Sequence, residues 1–590
     1  MDAEINSLRR SQEAPGRDSY AQESKPSQAL LLDRIVNKDR LQTPSSRLLQ
    51  LSSYILADIV DLLADDKVTL GALALVNSTC QQLARSSQFS AITFDHSPRS
   101  RYLLEKIKEE YHVRICRGPL GRCVRKFTMA RKPDSDSDDD VECERDFESV
   151  IWALIHAMPN LQVVEWLDDL ELKKRFFRTL MESPAKSVKI GSLEMKYPAS
   201  FPLIHDPRLL LPWQIRHLSY NPDNILFIPP NLDEEVLRSC ASTVESLSWS
   251  QLMGPASAEM YMTRRPFTFP RLMTLQLNVV LIPTWSYLRF FNSPLRQLRL
   301  PFWYDKDKLT MALSECHTMR DLDILAVPYF PPNEEGAERV SQFISRHSHI
   351  RKLSVEEDKM AQVHEAHINT FLIPLLTPER FTNLRSLAIS WGGGCTKAET
   401  KPHIVHVSFR SLCAIGELTA LEQLSLAAGI MAGGHCQWLI DHDQIRIALG
   451  KLENLKLLAI SRDTYRHGPN PNVEEYYTSP FLTDQDVIDI FNIRREDLEE
   501  AYREPNMNPT TILRPVEEWA WEKCHLNRMV REAENYSTAL PSLKWVYIGQ
   551  RPMAIQQNLF NSRPVVVPLT QVRDSCFTYL KETFTFKNAI

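Results

Sequence analysis

Three segments of the chain share one arrangement of apolar residues: LRSLAI at 384–389, LEQLSL at 421–426 and LKLLAI at 455–460. In each segment the first, fourth and sixth residues are apolar. Side chains alternate between the two faces of a β-strand, so the fourth and sixth residues share a face. The first residue is expected to enter the same core from the turn before the strand. The arrangement therefore predicts a strand with one buried face, repeated along the chain.

Seven further segments carry the same arrangement, which makes ten copies in all. They are IRHLSY (215–220), VESLSW (244–249), LMTLQL (272–277), LRQLRL (295–300), MRDLDI (319–324), IRKLSV (350–355) and LKWVYI (543–548). As far as LKLLAI, neighbouring copies lie 23 to 37 residues apart, and several of the intervening stretches show helical spacing. Repeats of this length are typical of solenoids. We therefore expect an α/β array of parallel strands and helices.

The array resembles the leucine-rich-repeat family, in which an LxxLxL segment is followed by a helix. The resemblance covers about residues 185 to 550, within a solenoid predicted at 151–590. The family's asparagine three residues after the sixth position is absent, since that position holds residues such as Asp223, Val280 and Asp463. The repeats are therefore expected to be irregular. An α/β domain with unrelated buried strands is the alternative interpretation.

A separate apolar block at 46–94 precedes the repeats. Leu48, Leu51, Ile55, Ile59 and Leu62 have the spacing of one helical face, and two shorter apolar helices follow within the block. Three helices of this length make a small core, so a unit of this kind usually needs a partner to cover its remaining apolar surface.

The order of these features resembles an F-box, the helical domain that docks a Skp-type linker subunit and, through it, a cullin. The resemblance assigns the docking to five residues of the block, namely Leu51, Ile55, Ile59, Leu70 and Val76. Ser52 stands where the family has proline, and Tyr54 where it has glutamate. A generic helical cap on the solenoid is the alternative interpretation.

The regions outside these two elements are more polar. Residues 1–45 lack sustained periodicity and are predicted to be a disordered tail. Residues 95–150 contain a basic block followed by an acidic block, which favours a solvated linker. At about 463–540 the repeats are interrupted by an acidic insertion rich in proline and aromatic residues.

Composition and charge argue against several classes of function. Only 17 of the 590 residues are glycine, and none begins a GxGxxG sequence, which disfavours nucleotide-binding folds. The net charge of −5 gives no reason to expect nucleic acid or an anionic membrane as a partner. No apolar run reaches the ~18 to 20 residues of a membrane span, and the N-terminal stretch lacks the apolar core of a secretory signal. We therefore expect a protein of the cytoplasm or nucleus.

The sequence offers no motif for catalysis or metal binding. The 11 cysteines form no CxxC pair, which suits reduced thiols better than a zinc site. His364 and His367 are three residues apart, whereas the zincin helix motif needs four. We therefore expect a chain that is not an enzyme and that binds no cofactor or metal.

The residues beside the buried fourth and sixth positions should face outward from the sheet. Charged side chains alternate in sign on this predicted face, and aromatic side chains that follow two of the strands are typical anchors of interfaces. The candidate target-binding residues are Arg299, Trp303, Asp321, Asp323, Lys352 and Trp391.

Together the two resemblances imply the substrate-recognition subunit of an SCF-type (Skp–cullin–F-box) E3 ubiquitin ligase. The helical block would dock the linker subunit, and the repeats would bind an unidentified target protein. The alternative is a leucine-rich-repeat scaffold or recognition protein with no role in ubiquitin transfer.

Overall fold

The computed structural model describes residues 51–112, 120–131, 146–168, 180–191, 212–221, 236–252, 267–281, 284–357, 367–392, 405–464, 509–557 and 564–584, apart from a few residues within these ranges. They form two compact units, which lie within residues 20–295 and 296–588. The predicted tail at 1–45, most of the acidic block and residues 465–508 of the predicted insertion lie outside the described residues. No helix in the described ranges combines the length and the apolar composition that a membrane span requires.

The first unit contains, among others, the following helices and strands within its described residues. They are α1 (Ser53–Leu62), α2 (Lys67–Ala74), α3 (Ser78–Gln88), β1 (Ala91–Phe94), α4 (Pro98–His112), β2 (Lys126–Met129), β3 (Val163–Trp166), β4 (Ser187–Ile190), β5 (His217–Tyr220), β6 (Ser246–Leu252), β7 (Thr274–Leu281) and α5 (Thr284–Phe291). The unit also contains a 3₁₀ turn at Leu120–Arg122 and a π-helical turn at Ala153–Ala157.

Helices α1, α2 and α3, which we call the helical unit, pack around a small core of their own. Leu56 and Val60 of α1, Leu70 of α2 and Leu83 of α3 form this core. The polar break before α2 is an N-cap: the carboxylate of Asp66 accepts hydrogen bonds from the backbone N–H groups of Val68 (3.1 Å) and Thr69 (2.9 Å). Because this cap satisfies two N–H groups that lack a helical partner, it sets where α2 begins.

Strands β1 to β7 pair in sequence order, each parallel to the next. The sheet thus begins at residue 91, inside the segment predicted as the end of the helical block. The predicted linker at 95–150 is also not a linker throughout, since it contains α4 and β2.

Residues 124–129, VRKFTM, have the same apolar first, fourth and sixth positions as the other repeats. Basic residues between the apolar ones concealed this copy, because alternate positions of a strand tolerate charge on the outward face.

The second unit contains the remaining repeats. Its elements are β8 (Gln297–Arg299), β9 (Trp303–Tyr304), α6 (Lys306–Glu315), β10 (Ile324–Phe330), α7 (Glu334–Arg346), β11 (Lys352–Glu357), β12 (Ser386–Trp391), α8 (Phe409–Gly416), β13 (Gln423–Ala428), β14 (Met431–Ala432), β15 (His435–Cys436), β16 (Trp438–Leu439), α9 (His442–Leu449), β17 (Leu457–Ser461), β18 (Asp463–Thr464), α10 (Pro509–Ala539), β19 (Trp545–Ile548), β20 (Arg551–Gln557), β21 (Pro564–Pro568) and α11 (Thr578–Phe584). A π-helical turn at Ile368–Leu372 and a 3₁₀ turn at Ile373–Leu375 lie between β11 and β12.

Six parallel pairings build the main sheet of this unit, in the order β8, β10, β11, β12, β13, β17 and β19. Two antiparallel strands, β20 and β21, follow β19. The turn from β19 to β20 consists of Gly549 and Gln550, whose φ angles are 56° and 58°. Positive φ at both positions defines the type I′ turn, which suits the twist of a two-residue hairpin. This turn therefore ends the series of parallel repeats.

One repeat has a different frame from the predicted one. Leu325 of β10 pairs with Leu298 of β8 and with Leu353 of β11, so the repeat is LDILAV at 322–327 rather than MRDLDI at 319–324. Leu322 is apolar in both frames, and Met319 is buried in the turn before it, which made the earlier frame fit equally well. The shift of three residues changes which side chains face outward.

Candidate interaction surfaces

Helix α2 carries an apolar stripe on the side opposite its core residue. Val68, Ala72 and Leu75 follow one another at helical spacing, and the side chains of Val68 and Leu75 are 83% and 88% exposed. Leu75 is the C-cap residue of α2, and Val76, which follows it, is 66% exposed. Leu70, by contrast, is fully buried in the helical unit. An amphipathic helix normally turns its single apolar side inward. Helix α2 differs, because it has apolar residues on two sides and only the side with Leu70 packs in the core.

Helix α1 has the same organisation. Leu56 and Val60 lie in the core of the helical unit, whereas Ile55 and Leu62 are exposed, Leu62 to 86%. Ile59 lies between Ile55 and Leu62 at helical spacing and is half-buried. The helical unit therefore presents two stripes of apolar side chains that its own core does not use.

The five residues assigned to docking lie in different places. Ile55 and Val76 are exposed, and Ile59 is half-buried. Leu51 packs partly against the helical core, and Leu70 is part of it. Leu70 is therefore a core residue and offers no surface for docking, because α2 turns it toward α1 and α3. Leu62, Val68 and Leu75 belong to the exposed stripes, and the helical spacing of the sequence alone does not say which of two apolar sides faces the core.

In the second unit, the outward side of β8, β10, β11, β12 and β13 forms a continuous surface that we call the open face. The pairing of the strands aligns its side chains in rows across the sheet. One row is Gln297, Ile324, Lys352, Ser386 and Gln423, and the next is Arg299, Ala326, Ser354, Ala388 and Ser425. A third row contains Glu356 and Ser390. Most of these side chains are half-buried or exposed.

On β5 and β6 of the first unit, the outward positions are less accessible to solvent than those of the open face. Ser219, Ser246, Ser248 and Ser250, on the outward side of β5 and β6, are all buried. A hydrogen-bonded group of hydroxyls and amides forms there, in which Ser250 donates to the Oδ1 of Asn221 at 2.7 Å. The outward side of β5 and β6 is therefore largely closed to solvent, whereas the open face of the second unit is accessible.

Two of the predicted target-binding residues lie on the open face, and two do not. Arg299 and Lys352 occupy outward positions of β8 and β11. Asp321 and Asp323 precede β10, because the repeat begins at residue 322. Asp323 pairs instead with Arg351 in the turn before the next strand, where Nη2 of Arg351 donates to Oδ2 of Asp323 at 2.6 Å. The alternation of positive and negative charge predicted for the face therefore involves residues of the turns that precede the strands. It is not a feature of the open face.

One of the two predicted tryptophan anchors also requires a correction. Trp391 is 1% exposed, and its indole N–H donates to the Oδ1 of Asn369 at 2.9 Å. Strand β12 runs on to residue 391, so Trp391 shares the inward side with Leu387 and Ile389. Trp391 is therefore a core residue and not a surface anchor. Trp303 lies in β9, and its side chain falls outside the described residues.

Arg462 reaches the open face from the end of β17. Its guanidinium donates to the carboxylate of Glu356 (3.2 Å), to the hydroxyl of Ser390 (3.0 Å) and to the carbonyl of Gly429 (3.0 Å). The backbone of Arg462 has a φ of 58°, a left-handed conformation that is unusual for a residue other than glycine. The strand pattern of the sequence contains no signal for this contact, since Arg462 lies after the repeat and Glu356 is 106 residues away.

A C-terminal segment covers the sheet at its other end. Phe577, Tyr579, Leu580 and Phe584 pack on the outward row of Ala459, Trp545 and Tyr547. The carboxylate of Asp574 accepts hydrogen bonds from the N–H groups at the start of α11, those of Thr578 (2.8 Å) and Tyr579 (3.0 Å). Ala459 is consequently fully buried, whereas Ala388 in the same row is half-exposed. Helix α11 therefore sets the limit of the open face.

Two buried titratable groups among the described residues, Glu357 and His96, make contacts with other elements of the fold. Glu357 accepts a hydrogen bond from the N–H of Gly392 at 2.9 Å, and burial raises the pKa of its carboxyl. His96 lies 3.0 Å from the carboxylate of Asp168; its pKa, which burial lowers, is raised overall by Asp168 and Asp146. Among the described residues, no group of three or more His, Cys, Asp or Glu side chains has the arrangement needed to hold a metal ion.

No protein-family model matches this chain, and no curated protein matches it. Among solved structures, an internalin from Listeria monocytogenes is 12% identical, and the match covers 62% of this chain and 82% of the internalin with a TM-score of 0.30. A leucine-rich-repeat protein from Leptospira interrogans is also 12% identical, and the match covers 64% of this chain and 95% of that protein with a TM-score of 0.23. In this chain itself, the LxxLxL segments stack as parallel strands in register, which is the arrangement of a leucine-rich-repeat solenoid.

Proposed function

We propose that this chain is the substrate-recognition subunit of an SCF-type E3 ubiquitin ligase. In this function the helical unit docks a Skp-type linker subunit, which connects it to a cullin, and the strand repeats bind a target protein. The chain supplies proximity and orientation, while the transfer of ubiquitin takes place on other subunits.

The observation that carries this function is the pair of apolar stripes on α1 and α2. Fully burying one Val, Leu or Ile side chain stabilises a protein by about 1.5–3 kcal/mol, so several exposed side chains of this kind represent a large unused driving force. Leu62, Val68 and Leu75 are each more than 80% exposed. A cap on the solenoid would bury these side chains against the repeats. A docking domain leaves them free for a partner, as exposed apolar groups of this kind usually indicate.

The test is co-purification of the full chain with a purified Skp-type linker subunit. We expect the unchanged chain to retain the linker, and the double variant Val68→Ser, Leu75→Ser to lose it. Ile447→Ser is the matched control, because Ile447 of α9 is also an exposed apolar residue (72%) but lies outside the helical unit. If the unchanged chain does not bind the linker, the proposed function is wrong. The alternative, a repeat scaffold with no role in ubiquitin transfer, is then favoured.

A further inference from the structure

The open face carries an excess of positive charge. Arg299, Lys352 and Arg462 reach it from β8, β11 and the end of β17, and Glu356 is the one acidic side chain among the described outward positions of its strands. Within the described part of the chain, Arg299 and Lys352 form no hydrogen bond or ion pair. Three cations and one carboxylate leave the face positive at neutral pH, although the whole chain carries a net charge of −5.

Of the cations on the open face, Arg299 is expected to bind an anionic ligand most strongly. It is half-buried beside Ala326, and the loss of solvent around its guanidinium lowers its pKa, while the charge of Glu356 raises it in part. Glu356 is itself hydrogen-bonded to Arg462. A guanidinium that has lost part of its hydration and has no direct partner binds an anion more strongly than one that is fully hydrated, because less solvent must be displaced.

The centre of the open face is shallow. The row that begins at Arg299 continues through Ala326, Ser354, Ala388 and Ser425, all with small side chains. Small side chains let a bound chain approach the sheet closely. Neighbouring strands lie about 4.8 Å apart, so the five strands from β8 to β13 span roughly 19 Å, which equals about six residues of extended peptide. Helix α11 covers the outward side of β17 and so closes the surface beyond β13.

We propose that the open face binds an extended peptide segment with anionic side chains, which contact Arg299 and Lys352. This binding mode rests on the proposed function, in which the repeats bind a target protein, and it specifies the chemical class of the bound segment. Carboxylates and phosphates both suit a guanidinium, so either source of negative charge fits. Three cations are few for a nucleic acid, whose affinity grows with the number of phosphates that are neutralised.

A selection from a library of random 12-residue displayed peptides on the purified full chain tests this. We expect the selected peptides to be enriched in Asp and Glu, and their affinity to fall steeply between low and physiological salt, as expected for exposed charges. For one selected peptide, a phosphoserine version measures whether phosphate or carboxylate binds better. Tighter binding of either anionic form than of a neutral Gln and Ser version supports the proposal, and the ratio identifies the preferred anion.

Point variants locate the binding. Arg299→Ala and Lys352→Ala should each weaken the selected acidic peptide about tenfold, and Arg299→Glu more than Arg299→Ala. Lys456→Ala is the matched control, because Lys456 lies before β17 and pairs with Glu422 at 2.6 Å, away from the open face. Lys352 is exposed, so its variant keeps the fold even if Arg299→Ala disturbs it.

Three results would overturn the proposal: selected peptides without acidic enrichment, acidic peptides that bind equally to both alanine variants, or a single-stranded oligonucleotide that binds more tightly than the peptides. The linker co-purification, carried out on the same preparations, separates this proposal from the proposed function. Arg299→Ala should retain the linker, and Val68→Ser, Leu75→Ser should retain the peptide.

Discussion

The guanidinium of Arg462 lies 3.2 Å from the carboxylate of Glu356, although the two residues are 106 positions apart in the chain. Between them lie β12 and β13, and Ser390 of β12 and Gly429, which directly follows β13, also accept hydrogen bonds from Arg462. One side chain thus connects the ends of neighbouring repeats across the sheet. Solenoid repeats contact mainly their nearest neighbours, so a contact of this range adds cooperativity that the repeats alone lack.

We expect Arg462→Ala to lower the free energy of unfolding by about 2 kcal/mol, since it removes a partly buried ion pair with two further hydrogen bonds. Arg462→Gly should lower it by about 1 kcal/mol less than Arg462→Ala does, because the left-handed backbone at φ 58° strains alanine and not glycine. Urea unfolding at neutral pH measures both values. Equal losses for the two variants would show that the backbone conformation carries no strain.

Leu70 of α2 and Leu75, the C-cap residue of this helix, are five residues apart but have different environments. Leu70→Ser should destabilise the unit by about 2–5 kcal/mol, because it empties part of a buried core and places a hydroxyl there. Leu75→Ser should change its stability by less than about 0.5 kcal/mol, since the side chain is exposed. Hydrogen exchange of α1 to α3 in the full chain measures both effects. Comparable exchange in the two variants would contradict the assignment of Leu70 to the core.

Removal of residues 577–590 should extend the open face. Ala459→Cys lies under α11 in the intact chain and is expected to react with iodoacetamide only after the truncation. Ala388→Cys lies in the same row but is half-exposed, so it should react in both chains and serves as the control. Labelling is read peptide by peptide, because the chain has 11 natural cysteines. Protection of residue 459 in the truncated chain would show that another element covers it.

His347 predicts a pH dependence of stability. Its Nε2 accepts the N–H of Met319 at 2.9 Å, and its Nδ1–H donates to the carbonyl of Phe343 at 2.8 Å, so the folded state needs the neutral ring. Burial lowers the pKa of His347 to about 4. In the unfolded chain a histidine titrates near its ordinary pKa of about 6.5, so only the unfolded state gains a proton as the pH falls from there.

The stabilisation from His347 is therefore fully present above pH 6.5 and is lost as the pH falls toward 4, by about 3 kcal/mol. The difference in unfolding free energy between the unchanged chain and His347→Asn should shrink accordingly between pH 7 and pH 4. Denaturant unfolding at several pH values measures it. A difference that stays constant with pH would mean that His347 has the same pKa in the folded and unfolded states, so that burial does not shift it.

Much of the strand architecture follows from local pattern. Nine of the ten predicted segments lie in the register expected from their apolar positions, because a period of two assigns each side chain to one face wherever a strand forms. The tenth, MRDLDI, failed because two frames share Leu322, and only pairing with Leu298 and Leu353 distinguishes them. The copy at 124–129 was missed because its flanking basic residues resemble those of a solvated loop.

The sequence by itself determined which segments become strands, which residues can enter a core and which short helices precede the repeats. These features depend on side-chain periodicity and on capping within a few residues. Only the tertiary structure decided which apolar side of α2 is buried, that Trp391 points inward, that α11 covers Ala459 and that Arg462 reaches Glu356. Each of these depends on a partner distant in sequence. Local periodicity identifies the residues available for such a contact, but only the packing of whole elements selects which contact forms.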